Sequence, residues 1–144
     1  MTFVSITRLR VRSLRFMPAF FWQTRGAIRQ AGEASGFIGG SLLPDRRLTF
    51  WTMTLWRDEA DMRGYILSGF HRQVMPRLFH WCDEASVVHW EQDEDIAPDW
   101  HVADARMRTE GRPSKVRKPS PQHQDLRFDA PRTTGAVPIA RRGN

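Results

Sequence analysis

Residues 48–56 read LTFWTMTLW. The aromatic and β-branched content predicts a strand, with Leu48, Phe50 and Trp56 on one face beside Thr52 and Thr54, and Trp51, Met53 and Leu55 on the other beside Thr49. A strand buried on one side alternates apolar with polar residues. This one is apolar on both faces, so both require a cover. Helices supply one cover, and a partner subunit is the economical candidate for the second.

The neighbouring segments give the frame. FVSITRLRVR, 3–12, alternates as a strand, with Val4, Ile6, Arg8, Arg10 and Arg12 on one face and Phe3, Ser5, Thr7, Leu9 and Val11 on the other. A helix fits 16–34, with Pro18 in its first turn and Phe20, Thr24, Ala27, Ile28 and Ala31 facing inward. GFIGGSLL, 36–43, reads as a glycine-weakened strand, joined through Pro44–Arg47 to the strand at 48–56. Asp58 is placed to cap a helix that turns Met62, Tyr65, Ile66 and Phe70 inward. A further helical segment follows at about 72–83, with a kink or restart expected at Pro76, and then a short strand at 86–90. The β-α-β-β-α-β order predicts an α+β, ferredoxin-like fold: a four-stranded antiparallel sheet with helices on one face. Two such sheets face to face would hide the helix-free side as a dimeric α+β barrel.

Charge divides the chain. Residues 1–103 hold 12 Arg against 12 acids, residues 104–144 hold 10 Lys and Arg against 4 acids, and the whole net charge of +6 therefore sits in the tail. All six tryptophans precede 104 and five of the nine prolines follow it. Composition thus predicts a folded domain over 1–103 and a basic, Pro-rich extension over 104–144, largely disordered after about 122. A single cysteine, Cys82, excludes an internal disulfide framework, and no apolar run approaches membrane-span length. The expected setting is cytoplasmic, with no membrane partner.

The run FWTMTLWRDEADMRGYILSGFHRQVMPRLFHWCDEASVVHW, 50–90, resembles the antibiotic-biosynthesis-monooxygenase-like superfamily of dimeric α+β barrels, and within it the proteins similar to spheroidene monooxygenase. TLW-x-DEA-x-M and SG-x-H-R carry the likeness, together with RFMPAFFWQT, 16–25, and GFIGGSLL, 36–43; EGRPSKVRKPSP, 110–121, looks like a tail of an uncharacterised branch. The resemblance implies a homodimer with a cavity between sheet and helices in each subunit. It leaves the reaction open, because the superfamily spans cofactor-free oxygenases, haem enzymes and members without assigned activity.

Among candidate residues, His71 shares one helical face with Met75, Leu78 and Cys82 if the register passes Pro76. Such a histidine serves as a haem ligand or a general base, or it is a buried neutral imidazole with a structural role. Arg72 beside it suits a carboxylate or haem propionate, or simply faces solvent. Trp22, Trp51 and Trp56, with Met75, suit the walls of an apolar pocket, or core and interface packing. His80 faces elsewhere, His89 reads as solvent-facing or interfacial, Cys82 as a small apolar group, and no zinc-ligand spacing is present. The leading expectation is a small-molecule cavity protein of monooxygenase type, acting on an apolar conjugated molecule, with haem or no cofactor. A non-catalytic dimeric ligand binder is the alternative. Nucleic-acid association through RPSKVRK, 112–118, ranks third, since no aromatic side chain there can stack on bases.

Overall fold

The computed structural model describes residues 1–142, except for the side chain of Phe70. The expected inward position of Phe70, and the last two residues of the extension, lie outside the described set. Strand β1 (Thr2–Val11) leads through a short 3-10 turn to helix α1 (Met17–Glu33), then β2 (Phe37–Pro44) and β3 (Thr49–Trp56) form a hairpin. Helices α2 (Glu59–Ile66) and α3 (Gly69–Trp81) precede β4 (Cys82–Gln92), and α4 (Trp100–Glu110), β5 (Arg112–Pro113) and β6 (Val137–Ile139) follow. The sheet order is β5-β4-β1-β3-β2-β6, and every recorded pairing is antiparallel. Its central four strands, β4-β1-β3-β2, have the ferredoxin-like arrangement.

Six strands replace the expected four because the C-terminal segment pairs with both edges: β5 with β4 at Ser86↔Pro113, and β6 with β2 at Ser41↔Pro138. Pairing an edge satisfies backbone groups that would otherwise invite aggregation. The composition boundary at 103 falls inside α4. Asp99 caps that helix by accepting from the Val102 amide at 2.9 Å, and Trp100, Ala103 and Met107, three and four residues apart, are all buried.

Those three side chains correct the reading that a partner must cover the second face of β3. Val4 and Ile6 of β1, Trp51, Met53 and Leu55 of β3, and Val88 and Trp90 of β4 pack beneath α4, with Phe128 against the same cluster. The cover comes from the chain itself. A homodimer would therefore have to use another surface.

Two local differences have simple causes. The break in the second helical region falls at Leu67–Ser68, not at Pro76: Gly69 opens α3 at φ 53°, and the helix continues through Pro76 to Trp81. Proline removes only one helical donor. Strand β4 starts at Cys82, inside the expected end of the helix at about 83, because Asp83 and Glu84 face Arg10 and Arg8 across the sheet. Gly36, at φ 79°, and Gly40 are required: an added Cβ would run into the Asp61 side chain at the first and the Met53 carbonyl at the second.

Candidate functional site

Helices α1, α2 and α3 cover the other face of the sheet without filling the space beneath them. A cavity of about 330 Å³ remains. This lies within the range of small-molecule sites, roughly 300–1,000 Å³. Its floor is set by strand register: Ser5 of β1 lies opposite Thr54 of β3 and His89 of β4, and Thr7 lies opposite Thr52 and Val87. Alternation points all of them to one side, giving a row of hydroxyls flanked by an imidazole. The roof is apolar, from Ala27 and Ile28 of α1, Met62 and Ile66 of α2, and Val74, Met75 and Leu78 of α3.

His71 projects into this roof from the first turn of α3. Gln30 of α1 fixes that turn: its Nε2 donates to the Ser68 carbonyl at 2.8 Å, and its Oε1 accepts from the His71 backbone amide at 3.2 Å. Gly69 lets Gln30 approach, since a Cβ there would lie 2.8 Å from Oε1. The imidazole packs edge-on against Tyr65, ring centroids 4.9 Å apart, and Tyr65 in turn stacks on Trp56 and donates its hydroxyl to the Ala27 carbonyl at 2.9 Å. Burial pushes the Tyr65 phenol well above its ordinary range.

The His71 Nδ1 is shut off from solvent and has no hydrogen-bond partner of good geometry among the described residues. Burial lowers the pKa of the ring, and the nearby Ile66 carbonyl, which favours the protonated form, offsets this only in part. His71 is therefore neutral at pH 7. His89 is held down as well, first by burial and then by Arg112 and Arg63, with Glu59 acting in the opposite direction. Its ring lies 5.5 Å from that of Phe3. The cavity thus carries two neutral imidazoles, one in the roof and one in the floor.

Of the residues singled out in the sequence, His71 and Met75 meet in the cavity wall. The others are placed elsewhere. Trp22 is 72% exposed on α1, and Trp51 lies on the opposite face of the sheet under α4, its Nε1 donating to Asp45 at 3.3 Å. Trp56 is buried behind Tyr65 against Phe37, and Arg72 is exposed on the outer side of α3. Cys82 leaves the His71 face because it opens β4; burial, with Asp83 beside it, pushes its thiol up to about 12. His89, expected at solvent or an interface, belongs to the floor. The hydroxyl row and Gln30 were not foreseen. The available signal was the pair of patterns Ser5-x-Thr7 and Thr52-x-Thr54 on strand faces that also carry large apolar residues.

A porphyrin carries two propionates, yet the described lining offers no arginine or lysine to receive them, and Arg72 is outside. Among the described residues no group of three or more His, Cys, Asp or Glu side chains is placed to hold a metal ion. None of the described helices is long and apolar enough to cross a membrane.

Residues 6–114 match the family model described as a domain of unknown function, DUF3291. No curated protein matches the chain. Solved structures share the fold at low identity. Rv0793 from Mycobacterium tuberculosis aligns with a TM-score of 0.60 at 10% identity, over 67% of this chain and 100% of that one. A protein described as an antibiotic biosynthesis monooxygenase aligns with a TM-score of 0.57 at 13% identity, over 65% and 100%. SnoaB, a cofactor-independent oxygenase from Streptomyces nogalater, aligns with a TM-score of 0.52 at 13% identity, over 67% and 98%. These likenesses show that the antiparallel α+β fold is shared. About a third of this chain lies outside each alignment.

Proposed function

The chain belongs to the DUF3291 family, and from the cavity of this member we propose that it binds a flat, largely apolar small molecule from which His71 accepts a proton, opening an oxygenation that uses no resident cofactor. The observation that carries the reading is an imidazole, kept neutral by burial, set in the apolar roof of a cavity between the sheet and three helices. A base is useful only in its unprotonated form at working pH, and burial supplies that. The hydroxyls of Ser5, Thr7, Thr52 and Thr54 are suited to an enolate oxygen on the ligand, because they donate hydrogen bonds without bringing a charge.

The chemistry balances without a reductant. A methylene between two unsaturated groups loses a proton to His71, and the resulting carbanion gives its electrons to dioxygen. Conversion of that CH2 to C=O consumes one O2 and releases one water. The cofactor-independent oxygenase among the structures of similar fold supports this as a reaction such a scaffold accommodates.

The test uses anthrone as a flat conjugated CH acid, with oxygen uptake and equilibrium binding read in parallel. His71→Gln is expected to bind the probe within about threefold of the parent and to lose uptake by at least about a hundredfold, the usual scale of general-base catalysis. Met75→Trp, which fills the roof, is expected to lose binding. Binding without uptake by the parent would leave a ligand-binding protein, and a Soret band in the freshly purified protein would replace the cofactor-free reading with a haem one.

A further inference from the structure

A second pocket lies on the other side of the sheet. It has a volume of about 150 Å³ and draws arginines from three separate parts of the chain: Arg8 and Arg10 from β1, Arg46 and Arg47 from the β2–β3 turn, and Arg127 from the C-terminal segment. Three acids, Asp45, Glu84 and Asp129, share the lining with these five cations. Glu84 and Asp45 are largely occupied by donors, while Asp129 is exposed at the pocket edge. Glu84 accepts from Arg8 Nη1 at 2.6 Å, from Arg10 Nη1 at 2.9 Å and from the Ser120 hydroxyl at 2.8 Å. Asp45 accepts from the Arg46 amide at 2.8 Å, from the Arg132 amide at 3.3 Å and from Trp51 Nε1 at 3.3 Å.

Positive charge is left over. Arg46, Arg47 and Arg127 form no ion pair with a described carboxylate. Arg8 is only 6% exposed, its guanidinium carbon stands 4.0 Å over the Phe128 ring, and its Nε is buried with no partner among the described residues. The turn that presents Arg46 and Arg47 is also unusual. Arg47 and Leu48 hold left-handed backbone at φ 57° and 59°, secured by the Asp45 amide donating to the Thr49 carbonyl and the Val11 amide to that of Leu48. Non-glycine residues seldom adopt that region, and such backbone gathers at ligand-holding sites.

We propose that this pocket is an anion site for a phosphate group, held between Arg46, Arg47 and Arg127 over the Arg8–Glu84–Arg10 base. Arginines converging from three elements match a tetrahedral anion with several charged oxygens, whereas a planar carboxylate is satisfied by one guanidinium fork. The volume limits the buried part of the ligand to a group of about this size. Because Arg127 and Phe128 come from the segment that crosses the sheet after β5, the bound anion also ties that segment to the β2–β3 turn. The inference rests on the arginine geometry alone and is independent of the chemistry assigned to His71.

The full chain is titrated calorimetrically with inorganic phosphate at constant ionic strength, and amide hydrogen exchange is followed over residues 122–130. One saturable site and slowed exchange in that segment are expected. Arg46→Gln and Arg127→Gln, at exposed positions, should each weaken binding about tenfold, the loss of one charge-assisted hydrogen bond. Arg29→Gln on α1, where Arg29 faces Glu33, should change nothing. A phosphate monoester such as glycerol 3-phosphate separates the two sources: binding of both ligands identifies a phosphoryl group on a larger molecule, and binding of phosphate alone identifies the free ion. No heat beyond that of sodium chloride at equal ionic strength would overturn the proposal, as would equal affinity in all three variants.

Discussion

Met107 offers the sharpest test of how this chain is held together. It is 0% exposed, on the α4 stripe against Trp51 and Trp90, although it sits beyond the point where composition turns basic. Met107→Ala removes three non-hydrogen atoms, worth ~2 kcal/mol of lost transfer at ~0.8 kcal/mol per methylene-sized group. If ~60 Å³ remains unfilled after partial collapse, a further ~1.5 kcal/mol is lost at ~24 cal/mol per Å³. The sum of ~3.5 kcal/mol lies inside the usual ~2–5 for Met→Ala. Unfolding entropy of ~2.1 cal/mol/K per residue over 144 residues is ~0.3 kcal/mol/K, so the midpoint should fall by ~12 °C in a calorimetric or circular-dichroism melt. Val102→Ala on the exposed side of the same helix is the control and should move it by no more than ~1–2 °C. A shift as small as the control's for Met107→Ala would show that α4 does not seal the sheet, and the account of the second core given above would be wrong.

Acidification should destabilise the protein through His71. Its folded pKa lies below the ordinary 6.5, so the unfolded chain binds more protons; stability is complete above about 6.5 and is lost as pH falls below it toward the folded value. His71→Gln should flatten the dependence of melting temperature on pH between about 8 and 5 without abolishing it, since His89 is depressed too; an unchanged slope would remove the buried neutral imidazole from the argument. Glu84→Ala should cost about 3–5 kcal/mol in denaturant unfolding, because it strands the buried Arg8 charge, while Glu84→Ala combined with Arg8→Met should recover most of that loss. Burial alone would raise the Glu84 pKa, but Arg8, Ser120 and Arg10 bring it below the ordinary value, so the contribution of this pair fades as pH drops through the folded value.

The elements that the sequence disclosed are those where periodicity and burial agree. The doubly apolar strand at 48–56 correctly demanded two covers, and the spacing of His71, Met75 and Leu78 put all three on the cavity side of α3, Leu78 lying beyond Pro76. The second cover was hidden because Trp100, Ala103 and Met107 lie in a segment whose other residues are mostly polar or charged, and average composition hides a stripe only three residues wide. Tryptophan gave no direction: the ring is large enough to be buried on either sheet face, and Trp22, Trp51 and Trp56 occupy three different environments. Ser5, Thr7, Thr52, Thr54 and His89 were passed over for the opposite reason. Polar residues on a strand ordinarily mean solvent, and only the three-helix roof turns that face into a chamber.

The helix that closes the second face of the sheet has a consequence for behaviour on dilution. Where two subunits lend each other their sheet faces, half-unfolding depends on how often they meet, and a scarce protein is a weak one. Here Trp100, Ala103 and Met107 are joined to the strands they seal by the short link between Gln92 and Asp99, so the covering surface stays near its target at every concentration. A melting midpoint unchanged between nanomolar and tens of micromolar protein is the expected signature. A chain built this way can be made in few copies and remain folded in each of them.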